Sequence, residues 1–107
     1  NMIKIDMSAL DKMKRNVRGL DNKILVEVKW SEIFTDEFLT QYTDFTSYSQ
    51  FENMDIEEFA KKDFIMAHTK FIDFEEMKNT ALNETTAGKM AVKEVEAKAI
   101  QEIFRGV

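Results

Sequence analysis

The chain contains no cysteine and no proline, and only three glycines in 107 residues. Without cysteine there is no disulfide framework, no thiol nucleophile and no thiolate metal site. Gly19, Gly88 and Gly106 stand too far apart to form a glycine-rich phosphate loop. Histidine occurs once, as His68, so no His-x-x-x-His pair offers zinc two ligands from one helix face. Apolar runs are short. The longest, Phe64 to Ala67, falls far below the roughly 20 residues that cross a bilayer and below the apolar core of a signal peptide. What the chain does have is 44% hydrophobic residues, with nine Phe and seven Met, too apolar a composition for a disordered chain. The expected product is one compact, soluble, cytoplasmic domain spanning residues 1–107.

Charge is unevenly placed. Residues 1–30 carry seven Lys/Arg against four Asp/Glu, a balance of +3, and residues 31–86 carry four against thirteen, a balance of −9. Residues 87–107 return to +1, which leaves the whole chain at −5. Eight of the nine Phe lie in the acidic middle, and only Phe104 lies outside it. Either the basic ends dock on the acidic centre within one fold, or that centre faces a partner.

The first thirty residues read as strand, helix, strand. Ile3, Ile5 and Met7 alternate with Lys4 and Asp6, the period of a half-buried strand. Ser8 suits an N-cap, and Leu10, Met13, Val17 and Leu20 make a helical stripe closed by Gly19. Lys12, Lys14, Arg15 and Arg18 lie off that stripe. Ile24, Val26 and Val28 form a second strand ending at Trp30. The strands are expected to pair, with the helix covering one face.

Residues 31–82 hold a degenerate repeat. Shifted by 26 residues, Phe38-Leu39 falls on Phe64-Ile65, Tyr42-Thr43 on His68-Thr69, Phe45 on Phe71, and Ser47-Tyr48 on Asp73-Phe74. Gln50 falls on Glu76 and Phe51 on Met77. Each unit reads as a short helix, a Thr-x-Phe turn and a second helix opened by a capping box, Ser47 with Gln50 or Asp73 with Glu76. Helices this short need their aromatic faces to pack together, and Met54, Ile56 and Phe59 are placed to bridge the units. His68 shares its position with Tyr42, another ring with a polar tip, which makes it a packing residue. Asn83 to Gly88 reads as a connector. Residues 89–105 form a C-terminal helix with Val92, Val95, Ala99, Ile100 and Ile103 on one face, and Gly106 is placed to cap its end.

Chemistry-bearing patterns are sparse. Asp55, Glu57 and Glu58, and separately Glu75 and Glu76, are dense carboxylates, but neither group has calcium-loop spacing or its turn glycine. On capped helices such residues are solvated faces and first-turn charges. No Gly-x-Ser-x-Gly accompanies the histidine. The cations Lys12, Lys14, Arg15 and Arg18 could meet phosphates, yet the −9 centre opposes duplex binding.

The doubled pattern Phe-Leu-x-x-Tyr-Thr-x-Phe-x-Ser-Tyr-x-x-Phe (38–51) and Phe-Ile-x-x-His-Thr-x-Phe-x-Asp-Phe-Glu-Glu-Met (64–77) resembles small phage- and prophage-encoded proteins. Ser8-Ala9-Leu10-Asp11-Lys12-Met13 is similar to their Gly-Leu-Asp-x-Leu opening, with Ala9 at the usual glycine. More loosely, the start resembles head–tail and tail-completion proteins of tailed phages. The likeness spans residues 2–82 and implies a phage context rather than a mechanism.

The expectation is therefore an α+β fold: a two-stranded β element with one helix (2–30), tandem helix-turn-helix-like units (31–82), a connector (83–88) and a C-terminal helix (89–105). The expected function is non-enzymatic, without cofactor or metal, and works through contacts with a phage structural or host protein, such as an accessory role in virion assembly. The first alternative is an acidic inhibitor that mimics nucleic acid toward a host protein, and the second is a small DNA-binding regulator. Lys12, Lys14, Arg15, Arg18, Asp55, Glu57, Glu58 and Glu75 form the candidate interaction surface, and the C-terminal helix offers a route to homo-oligomers.

Overall fold

A computed structural model describes residues 2–5, 25–50, 52 and 56–105, with backbone alone at Ile56, Phe59 and Ile103. The expected helix over 8–20, with Gly19 and the cations Lys12, Lys14, Arg15 and Arg18, lies outside the described residues, as do Met7, Ile24, Met54, Asp55 and Gly106. The architecture is α+β.

Strand β1 (Met2–Ile5) pairs antiparallel with β2 (Val26–Lys29). The register sets Ile3 opposite Val28 and Ile5 opposite Val26, and all four side chains are buried. Lys4, Glu27 and Lys29 point the other way, as a period of two requires. Helix α6 (Thr86–Arg105) packs on this sheet. Trp30, expected to end the second strand, instead opens a single turn, α1 (Trp30–Ile33). The chain then enters α2 (Asp36–Tyr42), where the Thr35 hydroxyl accepts the Phe38 N–H at 3.1 Å and Asp36 and Glu37 occupy the first turn.

Helix α4 (Lys62–His68) repeats α2 at the expected spacing, with Lys61 standing where Thr35 caps and offering no acceptor. Just before α4 lies α3 (Ile56–Phe59), a single helical turn. Both Thr-x-Phe turns are built alike. Thr43 donates its hydroxyl to the Leu39 carbonyl at 2.7 Å and accepts the Phe45 N–H at 2.9 Å. Thr69 does the same with Ile65 at 2.6 Å and Phe71 at 3.0 Å. The two turns then pair with each other. The Asp44 N–H donates to the His68 carbonyl and the Lys70 N–H to the Tyr42 carbonyl, each at 2.8 Å, around an antiparallel Thr43–Thr69 bridge.

This junction is a local two-fold. Phe71 of the second unit packs on Phe38 (ring centroids 6.0 Å apart) and Tyr42 (5.2 Å) of the first. Phe45 of the first packs on Phe64 (6.3 Å) and His68 (6.1 Å) of the second. Within each helix the rings four apart also meet, Phe38 with Tyr42 at 4.9 Å and Phe64 with His68 at 4.6 Å. His68 thus takes the packing role expected from its register with Tyr42, and its Nδ1 lies 3.3 Å from Asp44 Oδ2. Phe38 and Phe71 are buried, whereas Phe45, Phe64 and His68 are half-buried.

The units diverge after their turns. Helix α5 (Phe74–Glu84) begins with the expected N-cap, Asp73 accepting the Glu76 N–H at 2.8 Å, while Glu76 reaches back one residue past the cap, to the Ile72 N–H at 3.2 Å. The first unit makes only a 3₁₀ turn at Tyr48–Gln50. There Gln50 accepts the Ser47 N–H at 3.1 Å, but the Ser47 hydroxyl pairs with Ser49 at 2.7 Å, so half of the capping box is missing. Asp36 takes the Tyr48 N–H from outside the turn at 3.1 Å. The corresponding residue of the second unit, Lys62, has no acceptor to offer.

Asn83 to Gly88 is not a connector. Helix α5 runs to Glu84 and α6 begins at Thr86, leaving Thr85 as the only break. The buried Thr85 hydroxyl donates to the Ala81 carbonyl at 2.7 Å and accepts the Gly88 N–H at 3.1 Å, closing one helix and capping the next. The buried face of α6 is Gly88, Ala91, Val95 and Ala99, with Val92 half-buried. Ile100, expected on the core face, is 38% exposed, and Phe104 is 74% exposed. Small residues let α6 approach α5 and the sheet closely, so it is the small-residue stripe that turns inward. Among the described residues no helix is long and apolar enough to cross a membrane.

Candidate interaction surface

An open groove separates α1 and α2 from the α5–α6 junction. One wall is Glu32, Asp36, Glu37 and Gln41; the other is Glu84, Thr86, Ala87 and Met90; Phe38 and Thr85 lie at its base. Its volume is about 790 Å³. Past Met90 it continues into a depression of about 470 Å³ over Val26, Val28 and Ala91, flanked by Glu27, Lys93 and Glu94. The two share Glu32, Ala87 and Met90.

The floor is apolar and the rim is acidic. Met90 is 66% exposed in the middle of the groove, a flexible thioether able to shape itself to an apolar visitor. Among the described residues, six carboxylates line the two parts against one cation, Lys93. Glu94 shares its charge with Lys98 at 3.6 Å, while Glu27, Glu32 and Glu37 enter no ion pair among the described residues.

Glu84, on the groove wall, is tied to Tyr42, whose hydroxyl donates to the two carboxylate oxygens of Glu84 at 2.7 and 2.5 Å. That bond holds the phenol above its ordinary value of 10.0, with burial and the negative charge of Glu84 acting the same way. Tyr48 is also raised, by burial first and then by Glu52. The folded state therefore holds these protons more tightly than the unfolded chain. The stability they contribute is fully present below pH ~10 and is lost as the pH rises past it, because the unfolded chain ionises first. These are the only two tyrosines in the chain, which makes an absorbance titration of tyrosinate readable. Glu84→Ala is expected to bring one of the two transitions down toward the ordinary value and leave the other in place. If neither transition moved, the Tyr42–Glu84 tie would be refuted.

Of the residues singled out in the sequence, Glu57, Glu58 and Glu75 are described, and none of the three lines the groove. Glu57 and Glu58 are exposed on α3. Glu75 sits in the first turn of α5, paired with Lys78 at 3.0 Å. Glu32, Asp36, Glu37 and Glu84 were missed, although the −9 balance of residues 31–86 carried their signal, and Met90 lies beyond that segment with no signal in the charge. Among the described residues no three His, Asp or Glu side chains are grouped to hold a metal ion. Comparison of the chain with protein-family models, with curated proteins and with solved structures finds no match.

Proposed function

We propose that the protein is a non-enzymatic interaction module, that it binds another protein through the groove between α1–α2 and α5–α6, and that it serves a phage or prophage as an accessory of virion assembly. The observation carrying the interaction role is Met90, a large apolar side chain standing open to solvent on an apolar floor inside a walled groove. The phage context rests on the doubled Thr-x-Phe pattern alone.

A photo-crosslinking amino acid at position 90, carried by the protein in its native host, tests this reading. The expected adduct is a virion structural protein. The absence of any adduct, or substrate turnover by the purified chain that is lost in His68→Ala, would overturn it. The acidic rim favours a second reading, an inhibitor that occupies a basic site on a host nucleic-acid-binding protein. An adduct with such a protein would decide for it.

A further inference from the structure

We infer that the groove receives a basic amphipathic helix of its partner, with apolar side chains on Met90 and Ala87 and Lys or Arg along both flanks. This rests on the interaction reading above and specifies the chemistry of the occupant.

Shape comes first. Along α6 the wall runs from Thr86 to Glu94, about eight residues of helical rise or roughly 12 Å, which accommodates about two turns of a second helix. Ala87, Met90, Ala91 and Glu94 repeat along one side of α6, three and four residues apart, the ridge on which another helix packs. Ala87, half-buried, is small enough for close approach, and the exposed Met90 projects beside it. The opposite wall is α1 and α2 along the larger part of the groove and β2 with Glu32 along the smaller, so the trough lies between two helical walls where it is widest. Helix-in-groove recognition uses such troughs, reading apolar anchors at i, i+3 or i+4, and i+7.

Charge selects among amphipathic helices. Glu32 and Glu37 stand on the α1–α2 wall, and Glu84 and Glu94 on the other, so both flanks of a docked helix would meet carboxylates. An acidic or phosphate-bearing occupant would add like charge to a rim that already has, among the described residues, six carboxylates to one lysine. Exposed pairs each add little affinity. Their larger effect is to steer a cationic segment into the groove and to reject an anionic one.

The test uses the full chain and three labelled synthetic peptides read by fluorescence anisotropy: an amphipathic Lys/Leu helix, its Glu/Leu counterpart, and a scrambled Lys/Leu sequence without an apolar face. The Lys/Leu helix is expected to bind and to weaken with added salt, and the other two to fail. Met90→Ser and the double variant Glu32→Gln/Glu37→Gln should each weaken binding about five- to tenfold, while Glu75→Gln, outside the groove, leaves it unchanged. All of these residues are exposed, and far-UV circular dichroism verifies that each variant is folded. Equal binding of the scrambled peptide, binding of the acidic one, or indifference to both groove variants would overturn the inference. So would a concentration-dependent dimer abolished by Met90→Ser, which would make a second copy the occupant. The crosslink at position 90 separates the two levels. An adduct on a partner segment without basic residues refutes this specification and leaves the interaction role standing, whereas no adduct refutes both.

Discussion

Phe34→Ala is expected to cost about 3–5 kcal/mol of stability, a large part of what holds a small domain folded. Phe34 is fully buried and sits at the hinge between α1 and α2. Its ring lies 5.5 Å from Trp30, 6.0 Å from Phe38 and 6.1 Å from Phe74, so it joins the end of the sheet to both helical units. Truncation leaves a void that three large rings cannot close without leaving their own packing, which places the cost toward the upper end of the range. Chemical denaturation monitored by tryptophan fluorescence reads the effect, since Trp30 is the only tryptophan. A loss below about 1 kcal/mol would mean that the Trp30–Phe34–Phe74 cluster is not a core.

Gly88→Ala is expected to destabilise by about 1–3 kcal/mol, the cost of forcing extra volume into a packed interior. In a helix open to solvent the same change stabilises by about 0.5–1 kcal/mol, because alanine loses less backbone freedom on folding. The sign reverses here because a Cβ on Gly88 would stand 2.5 Å from the Leu82 Cα and 2.7 Å from the carbonyl oxygens of Ala81 and Leu82. All three are backbone atoms, so no side-chain rotation relieves the overlap, and α5 and α6 must move apart. That movement would also strain the bonds of the Thr85 hydroxyl to Ala81 and Gly88. A midpoint in urea equal to or above that of the wild type would show that the helices are not in such close contact.

Local patterns in the sequence foretold local structure. Alternation at Ile3–Ile5 and Val26–Val28 gave the strands, and the 26-residue shift gave both helix ends at Thr43 and Thr69, because a threonine that caps through its own hydroxyl acts on neighbours within four residues. Patterns that weigh side-chain size misread α6. They favoured Ile100 for the core, whereas close approach of α5 selected Gly88 and the alanines. The Asn83 to Gly88 segment misled for the same reason: its glycine serves proximity, not flexibility. The groove was beyond such reading, since Glu32 and Met90 are distant in sequence and meet only through the mutual placement of α1 and α6. Acidity of the middle was visible, but not which carboxylates share a wall.

The reciprocal packing at the Thr43–Thr69 junction has an implication for how the protein unfolds. Each unit lends a phenylalanine to complete the other's aromatic trio, and each accepts a backbone hydrogen bond from the other. Neither unit is whole without its counterpart, much as in a subunit exchange enacted within one chain. The stretch from α2 to α4 should therefore open and close as one cooperative block, and damage to either turn should be felt in the opposite one.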